Sequence, residues 1–400
     1  MKKNIFLLMT AFLLTNCAGE QKKEDISDIR QIDFDYNVCI NKLDAGEFDL
    51  GAYSDSIMQI IPLETTDEAL IAEIDEIEIR NDRIYIMDQL ARSVYVFDMT
   101  GKYLNRINKV GQGPGEYGFL SYMAVTDSTV IVFDHFMDKL IEYKIPTMQF
   151  LREERVSSSL ISDMFYLPAA KSVCFMNDYC CTDAGKYLLF VRKEDTKEID
   201  KQLPFDKEPF CLGMSGYHYA VTSDHASVIY DGNDTIYRID DKGKARPEYF
   251  VNIKNDRVVY GEKVETVHRD NPPGRVFGIS SINESDKYLF LNISVRFEGV
   301  IQKGHYSDYM CLYNKQSRET VIYPEYAQNS KFDNNESVLI RRIIDNKIIE
   351  WTDADIMFMG KEYAFTKRKF TNKTFEQQYK QVLSNLKEDD NPVVFIYNLK

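Results

Sequence analysis

Five histidines, His135, His218, His225, His268 and His305, are the only imidazoles in the chain. None stands in H-E-x-x-H or another metal-ligating spacing. No G-x-S-x-G elbow marks a nucleophile. Asp353 and Asp355 read as alternation on a solvated segment. Beyond Cys17 there are Cys39, Cys174, Cys180, Cys181, Cys211 and Cys311, and no two make a C-x-x-C metal pair. Adjacent Cys180 and Cys181 cannot join each other without strain. Small buried apolar residues are the plain reading of these cysteines, and a bridge from Cys174 to Cys180 or Cys181 is the alternative. Local motifs thus give catalysis no support and name no cofactor. A metal-dependent hydrolase or lyase, with His and Asp gathered from distant segments, stays as the second reading.

Other residues have spacings better suited to holding a ligand. Gly111 to Gly118 reads GQGPGEYG. Glycine permits positive φ and proline fixes φ, so this segment follows a defined path. It lacks the Lys-Ser/Thr and the helix of a phosphate-cradling loop. Gln112, Glu116 and Tyr117 are its candidate contacts, and a crossover tied down by Glu116 and Tyr117 is the competing reading. Two further loops, Asp88 to Ser93 and Asp134 to Lys139, begin with an Asp that suits turn capping. Arg92, His135 and Lys139 are not explained by turn chemistry and are candidate ligand contacts. Long irregular connections offer a third set. They are Phe205 to Gly216, Arg296 to Ser307, and above all Gly261 to Arg275, with His268, Arg269 and Arg275.

These loops must hang on a repeat. Strand-like runs such as Ile84 to Asp88 recur at one spacing: Asp88 to Asp134, Val94 to Leu140 and Leu104 to Phe150 are each separated by 46 residues. Further copies run through Val173–Phe175 with Tyr187–Val191, through Val228–Asp231 with Thr235–Ile239, and through Tyr288–Ile293 with Tyr309–Tyr313. A period of about 40–50 residues with roughly four short strands is a propeller blade. A lone four-stranded sheet cannot cover both its faces, whereas radial packing covers each with a neighbour and ring closure leaves few edges. The expectation is an all-β, six-bladed β-propeller over residues 55–400. The sixth blade is to be closed by Ile57–Leu63 from one end and Pro392–Tyr397 from the other. Phe375, Tyr379, Val382, Leu383 and Leu386 recur at helical spacing, which predicts a short amphipathic helix over 371–388 inserted in the last blade. In a propeller the link between blades and the loop joining a blade's second and third strands share one face, so the candidate residues above fall together at one channel mouth.

The N-terminus reads as an export signal. Lys2 and Lys3 precede an apolar run from Ile5 to Leu14, too short to span a bilayer. Leu14-Thr15-Asn16-Cys17 follows, and it resembles a lipobox. The resemblance implies cleavage before Cys17 and acylation of that residue, so residues 1–17 are a lipoprotein signal and the membrane is a partner through a lipid anchor. Ala18 to Arg30 is polar and suits a tether, within an N-terminal extension taken as 18–54. Ala18, rather than Asp, after the cysteine points to the outer membrane. A net charge of −14 argues against nucleic acid, whose affinity comes mainly from Lys and Arg on phosphates.

Gly101-Lys-Tyr-Leu, then GQGPGEY over 111–117, then an apolar strand ending in Asp134, resembles the exported, NHL-like six-bladed propellers found as lipoproteins in Gram-negative bacteria. Ile61-Pro-Leu-Glu-Thr65 and Asp390-Asn-Pro-Val393 resemble that family too. The resemblance covers roughly Asp55 to the C-terminus and implies the fold without implying an activity. The expected function is a binding or accessory scaffold at the cell envelope. Its ligand would be a glycan, a peptide or a partner protein held on the channel-mouth face.

Overall fold

The computed structural model describes residues 29–35, 50–156, 161–177, 187–205, 216–230, 232–257, 275–296, 306–324, 340–368 and 373–400. Its strands form six separate sheets, five of four strands and one of five. Each sheet is a blade whose first strand lies nearest the axis. These inner strands are Glu76–Arg80, Tyr122–Val125, Asp163–Leu167, Tyr219–Val221, Val276–Glu284 and Arg342–Ile344. Neighbouring inner strands touch, as Tyr122–Val125 does with those on both sides. The sixth blade closes as the sequence requires: Ser54–Pro62 is its outer strand, antiparallel to Val393–Leu399, with Ile60 opposite Phe395 and Pro62 opposite Val393.

Strand alternation explains why the ring holds together. Along Arg83–Asp88, Ile84 and Ile86 face blade 6, while Tyr85 and Met87 face blade 2. Their counterparts 46 residues on repeat the division. Val130 and Val132 face blade 1, and Ile131 and Phe133 face blade 3. Successive side chains on a strand point to opposite faces, so one blade supplies two of the six inter-blade cores. Cys174 lies in the core between blades 3 and 4, and Cys311 in that between blades 4 and 5. Cys180 and Cys181 are outside the described residues.

Two parts of the fold go beyond the sequence reading. Arg30–Phe34, within the expected N-terminal extension, adds a fifth strand to blade 4, parallel to its outer strand Ala245–Ile253. Ile32 and Phe34 are fully buried in the core between blades 4 and 5, and the Arg30 guanidinium stands 4.3 Å over the Tyr249 ring and pairs with Glu248. In blade 6 the described residues of the insertion between Thr352 and Val393 form three helices rather than one: Ala354–Met359, Lys361–Thr366 and Lys373–Asn385. Asp353 is the N-cap residue of the first and Asp355 lies in its first turn, so this acid pair marks a helix start. The third is the expected amphipathic helix, and its Phe375, Tyr379, Val382 and Leu383, with Leu386 just beyond, all pack with Val393 and Phe395.

Candidate binding face and channel

The GQGPGEYG loop is fixed from several sides. The Gly115 N–H donates to Glu153 Oε2 (2.8 Å), and its carbonyl accepts the Tyr143 hydroxyl (2.8 Å). Gly115 sits at φ +69°, and a Cβ there would lie 2.5 Å from the Phe150 ring, so glycine is required on both counts. Glu116 Oε2 accepts the Gly113 N–H at 2.9 Å. Lys139 is buried, and its ammonium donates to the carbonyls of Gly113 and Glu116, both at 3.0 Å, and pairs with Glu153 at 2.9 Å. Tyr117 is fully buried; its hydroxyl faces the carbonyls of Arg92 (3.0 Å) and Ile107 (3.2 Å), and burial pushes its phenol up to about 12. Thus Glu116, Tyr117 and Lys139 are joined in one internal network.

The two aspartates extend this network. Asp134 Oδ1 accepts the N–H groups of Phe136 and Met137 in its own turn, while Oδ2 accepts those of Gly118 and Phe119 in the incoming connection. Asp88 does the same with Ala91 in its turn and Ala72 and Glu73 in the connection. Both therefore cap a turn and also weld the inter-blade link to it. What these rigid turns present is apolar. Leu90 is 74% exposed and Phe136 is 79% exposed, at positions again 46 apart. The Phe119 ring meets Phe136 edge-on at 5.5 Å, and the His135 ring does so at 5.7 Å. Arg92, Gln112 and His135 are exposed on the same face. Arg275, at the end of the link from blade 4 into blade 5, is half-buried, and its guanidinium donates to the Arg257 carbonyl (3.0 Å). His268, Arg269, Cys17 and most of the three long connections are outside the described residues.

The channel holds a second constellation. Glu76, Glu78 and Arg80 alternate with Ile77 and Ile79, which face the core between blades 6 and 1. Arg342, on the inner strand of blade 6, is buried among them. Its guanidinium bonds Glu78 Oε1 (2.9 Å) and the Tyr219 carbonyl (3.2 Å), and it lies 4.3 Å from the ring centres of both Tyr217 and Tyr219. Glu76 accepts the Tyr219 hydroxyl (3.1 Å) and the Met123 N–H (3.0 Å). Burial, then the charge of Glu78, pushes the Glu76 carboxyl well above its usual range. Burial likewise raises Asp163 to about 6, against the opposing pull of His218. At the other end of the channel, where the inner strands finish, a cavity of about 220 Å³ opens between Glu78, Arg80, Arg342 and Asp345.

None of this charged set was singled out by motif. Its members come from four blades, yet the Glu-Ile-Glu-Ile-Arg alternation at 76–80 signals an inner strand with charges facing the axis. Of the described histidines, His225 bridges Asp224 (2.7 Å) and Glu284 (3.0 Å), and Glu284 also pairs with Lys315, clamping blade 4 to blade 5. Among the described residues no three His, Cys, Asp or Glu side chains converge as a metal-ligand set. No helix among them is long and apolar enough to cross a membrane.

Comparison with known proteins agrees with this architecture. A family described as a domain of unknown function, DUF4934, matches residues 31–398. That span starts inside the strand added to blade 4 and ends inside the strand that closes blade 6. No curated protein matches the chain. Among solved structures, a Bacteroides fragilis protein whose name says only that it is thought to be exported aligns with a TM-score of 0.66 and 18% identity, covering 92% of this chain and 99% of its own. U3-55K aligns with a TM-score of 0.45 and 10% identity, covering 86% of this chain and 99% of its own. The expected six-bladed propeller is met as a fold, and the family found is DUF4934.

Proposed function

The chain belongs to the DUF4934 family, and from that premise we propose that it is an exported, lipid-anchored scaffold that holds a polypeptide partner against the loop face of blades 1 and 2. One observation carries the reading. Leu90 and Phe136 stand almost wholly in water on turns that buried hydrogen bonds hold rigid. Large exposed apolar groups that cluster on one surface mark interaction sites, and preorganised anchors bind with little ordering cost. Leu90 offers no hydrogen-bonding group, which favours a polypeptide over a glycan. Arg92, Gln112 and His135 supply the polar rim.

The test is cross-linking in the envelope fraction of producing cells, with the parent and the Leu90→Ser/Phe136→Ser double variant. A partner captured by the parent and lost by a double variant that melts like the parent supports the reading. Full burial of one such side chain contributes about 1.5–3 kcal/mol, so the double change should weaken binding at least a hundredfold. A partner retained at unchanged affinity refutes it. Export is supported by the N-terminal signal and by the likeness to the Bacteroides fragilis protein, and anchoring by Leu14-Thr15-Asn16-Cys17 alone. Cys17→Ser should abolish palmitate labelling and release the protein from membranes; labelling that persists removes the anchor.

A further inference from the structure

We propose that the cavity at the far end of the channel is a second binding site, for a small zwitterion with an aliphatic body, of the class of a free α-amino acid about the size of leucine. The first support is volume. About 220 Å³ holds roughly seven waters at ~30 Å³ each, and so a molecule of roughly seven to nine non-hydrogen atoms. The second is the charge pattern of the lining. Two guanidinium groups, Arg80 and Arg342, face two carboxylates, Glu78 and Asp345. This lining is neutral as a whole but carries both signs at close quarters. Glu78 and Arg342 already match each other at 2.9 Å, which leaves Arg80 and Asp345, one of each sign, for a ligand; a plain anion or a plain cation meets one of them, whereas a zwitterion meets both. The third is the wall between the charges, where Val221 and Ile344 give an apolar surface for a short branched chain.

The groups are held in place for this role. Glu78 is fixed by Arg342 at 2.9 Å, and Arg342 lies against two tyrosine rings set nearly at right angles to each other. Arg80 lies over the Tyr166 ring at 5.2 Å. Its carboxylate partner, Asp127, is 3.3 Å away and largely in water, so that pair is weak and the guanidinium can take up a ligand carboxylate. Asp345 is exposed at the rim, where it meets an ammonium group.

The experiment is titration calorimetry of the full chain with three probes: L-leucine, 4-methylpentanoate (leucine without its ammonium) and isoamylamine (leucine without its carboxylate). Saturable binding of leucine is expected, with each half-ligand at least about tenfold weaker because each lacks one charged hydrogen bond. Arg80→Gln should weaken leucine and 4-methylpentanoate and leave isoamylamine unchanged. Asp345→Asn should weaken leucine and isoamylamine and leave 4-methylpentanoate unchanged. Asp345 is exposed and Arg80 half-buried, and thermal melts matching the parent establish that each variant is folded. No saturable leucine binding at millimolar concentration overturns the site. Binding of 4-methylpentanoate as tightly as leucine overturns the zwitterion. Either result leaves the partner-binding face standing, since that face is at the opposite end of the channel.

Discussion

Two buried cations, Lys139 and Arg342, do different things with the same sign of charge. Lys139 donates to two backbone carbonyls of one loop and pairs with one carboxylate beside it. Its partners belong to its own blade and to the link leading into that blade, and its role ends with holding that loop. Arg342 bonds a carboxylate on blade 1 and a carbonyl on blade 4 and lies in the corner formed by two nearly perpendicular tyrosine rings. It stands among acids that burial has already pushed towards neutrality. The contrast separates a cation that completes a local turn from one that makes the centre of the ring electrostatically possible. A lysine is a point charge on a flexible stem, while the flat fork of arginine can bond edgewise and also lie against aromatic rings.

Breaking the second cation should hurt most. Arg342→Met takes a charged hydrogen bond from half-buried Glu78 and another from the Tyr219 carbonyl; at roughly 1.5–3 kcal/mol apiece, urea unfolding should show a loss of about 3–5 kcal/mol. Next comes the clamp between blades 4 and 5. Burial would raise Glu284, but the bond from His225 and the charge of Lys315 outweigh it and hold the carboxyl at about 2. Its contribution is therefore present above about 4.5 and is lost as pH falls towards 2. Burial opposes charging of His225, but Glu284 and Asp224 outweigh it and raise its pKa, so that contribution is present below about 6.5 and fades as pH rises through the folded value. Melting temperature against pH should show Glu284→Gln flattening the acid limb, by roughly 2–3 kcal/mol at neutral pH. Lys139→Met keeps the stem but leaves two carbonyls and Glu153 without their donor; about 1–3 kcal/mol is expected, with protease cleavage appearing first within 111–118. The smallest effect on folding belongs to Leu90→Ser and Phe136→Ser, under about 0.5 kcal/mol each by chemical denaturation. A large loss there would place these side chains in the fold rather than on a binding surface.

How much was legible in the sequence follows the same division. The 46-residue spacing, the closing strands and the apolar stripe from Phe375 to Leu386 were readable because their signals are periodic or local. The GQGPGEYG loop was readable for the same reason, as were Glu116 and Tyr117 as residues tying it down. Lys139 stood out in the sequence, but its buried contacts with that loop depend on a fold that brings residues 113, 116 and 153 to it. The channel cluster was not readable as a site, because Glu76, Asp163, Tyr219 and Arg342 are scattered along the chain and meet only when the ring closes. Alternation at 76–80 told that charges face one way; it could not tell that an arginine from the last blade would face them. The added strand escaped because its five residues, RQIDF, sit beside a polar run, although Ile32 and Phe34 alternate with Gln31 and Asp33 as an edge strand should.

That added strand also sets how a pull on the N-terminus would be felt. Ring closure depends on Ser54–Pro62, whereas Arg30–Phe34 is laid on the outer edge of blade 4. A load arriving through the proposed anchor at Cys17 would therefore meet a five-residue latch before it meets the closing seam. The latch can peel from Ala245–Ile253 while every blade keeps its four strands, and the slack released lengthens the leash without opening the ring. Blade 4, not the seam, would then be the point from which the disc hangs, with blades 1 and 2 on its far side turned away from the attachment.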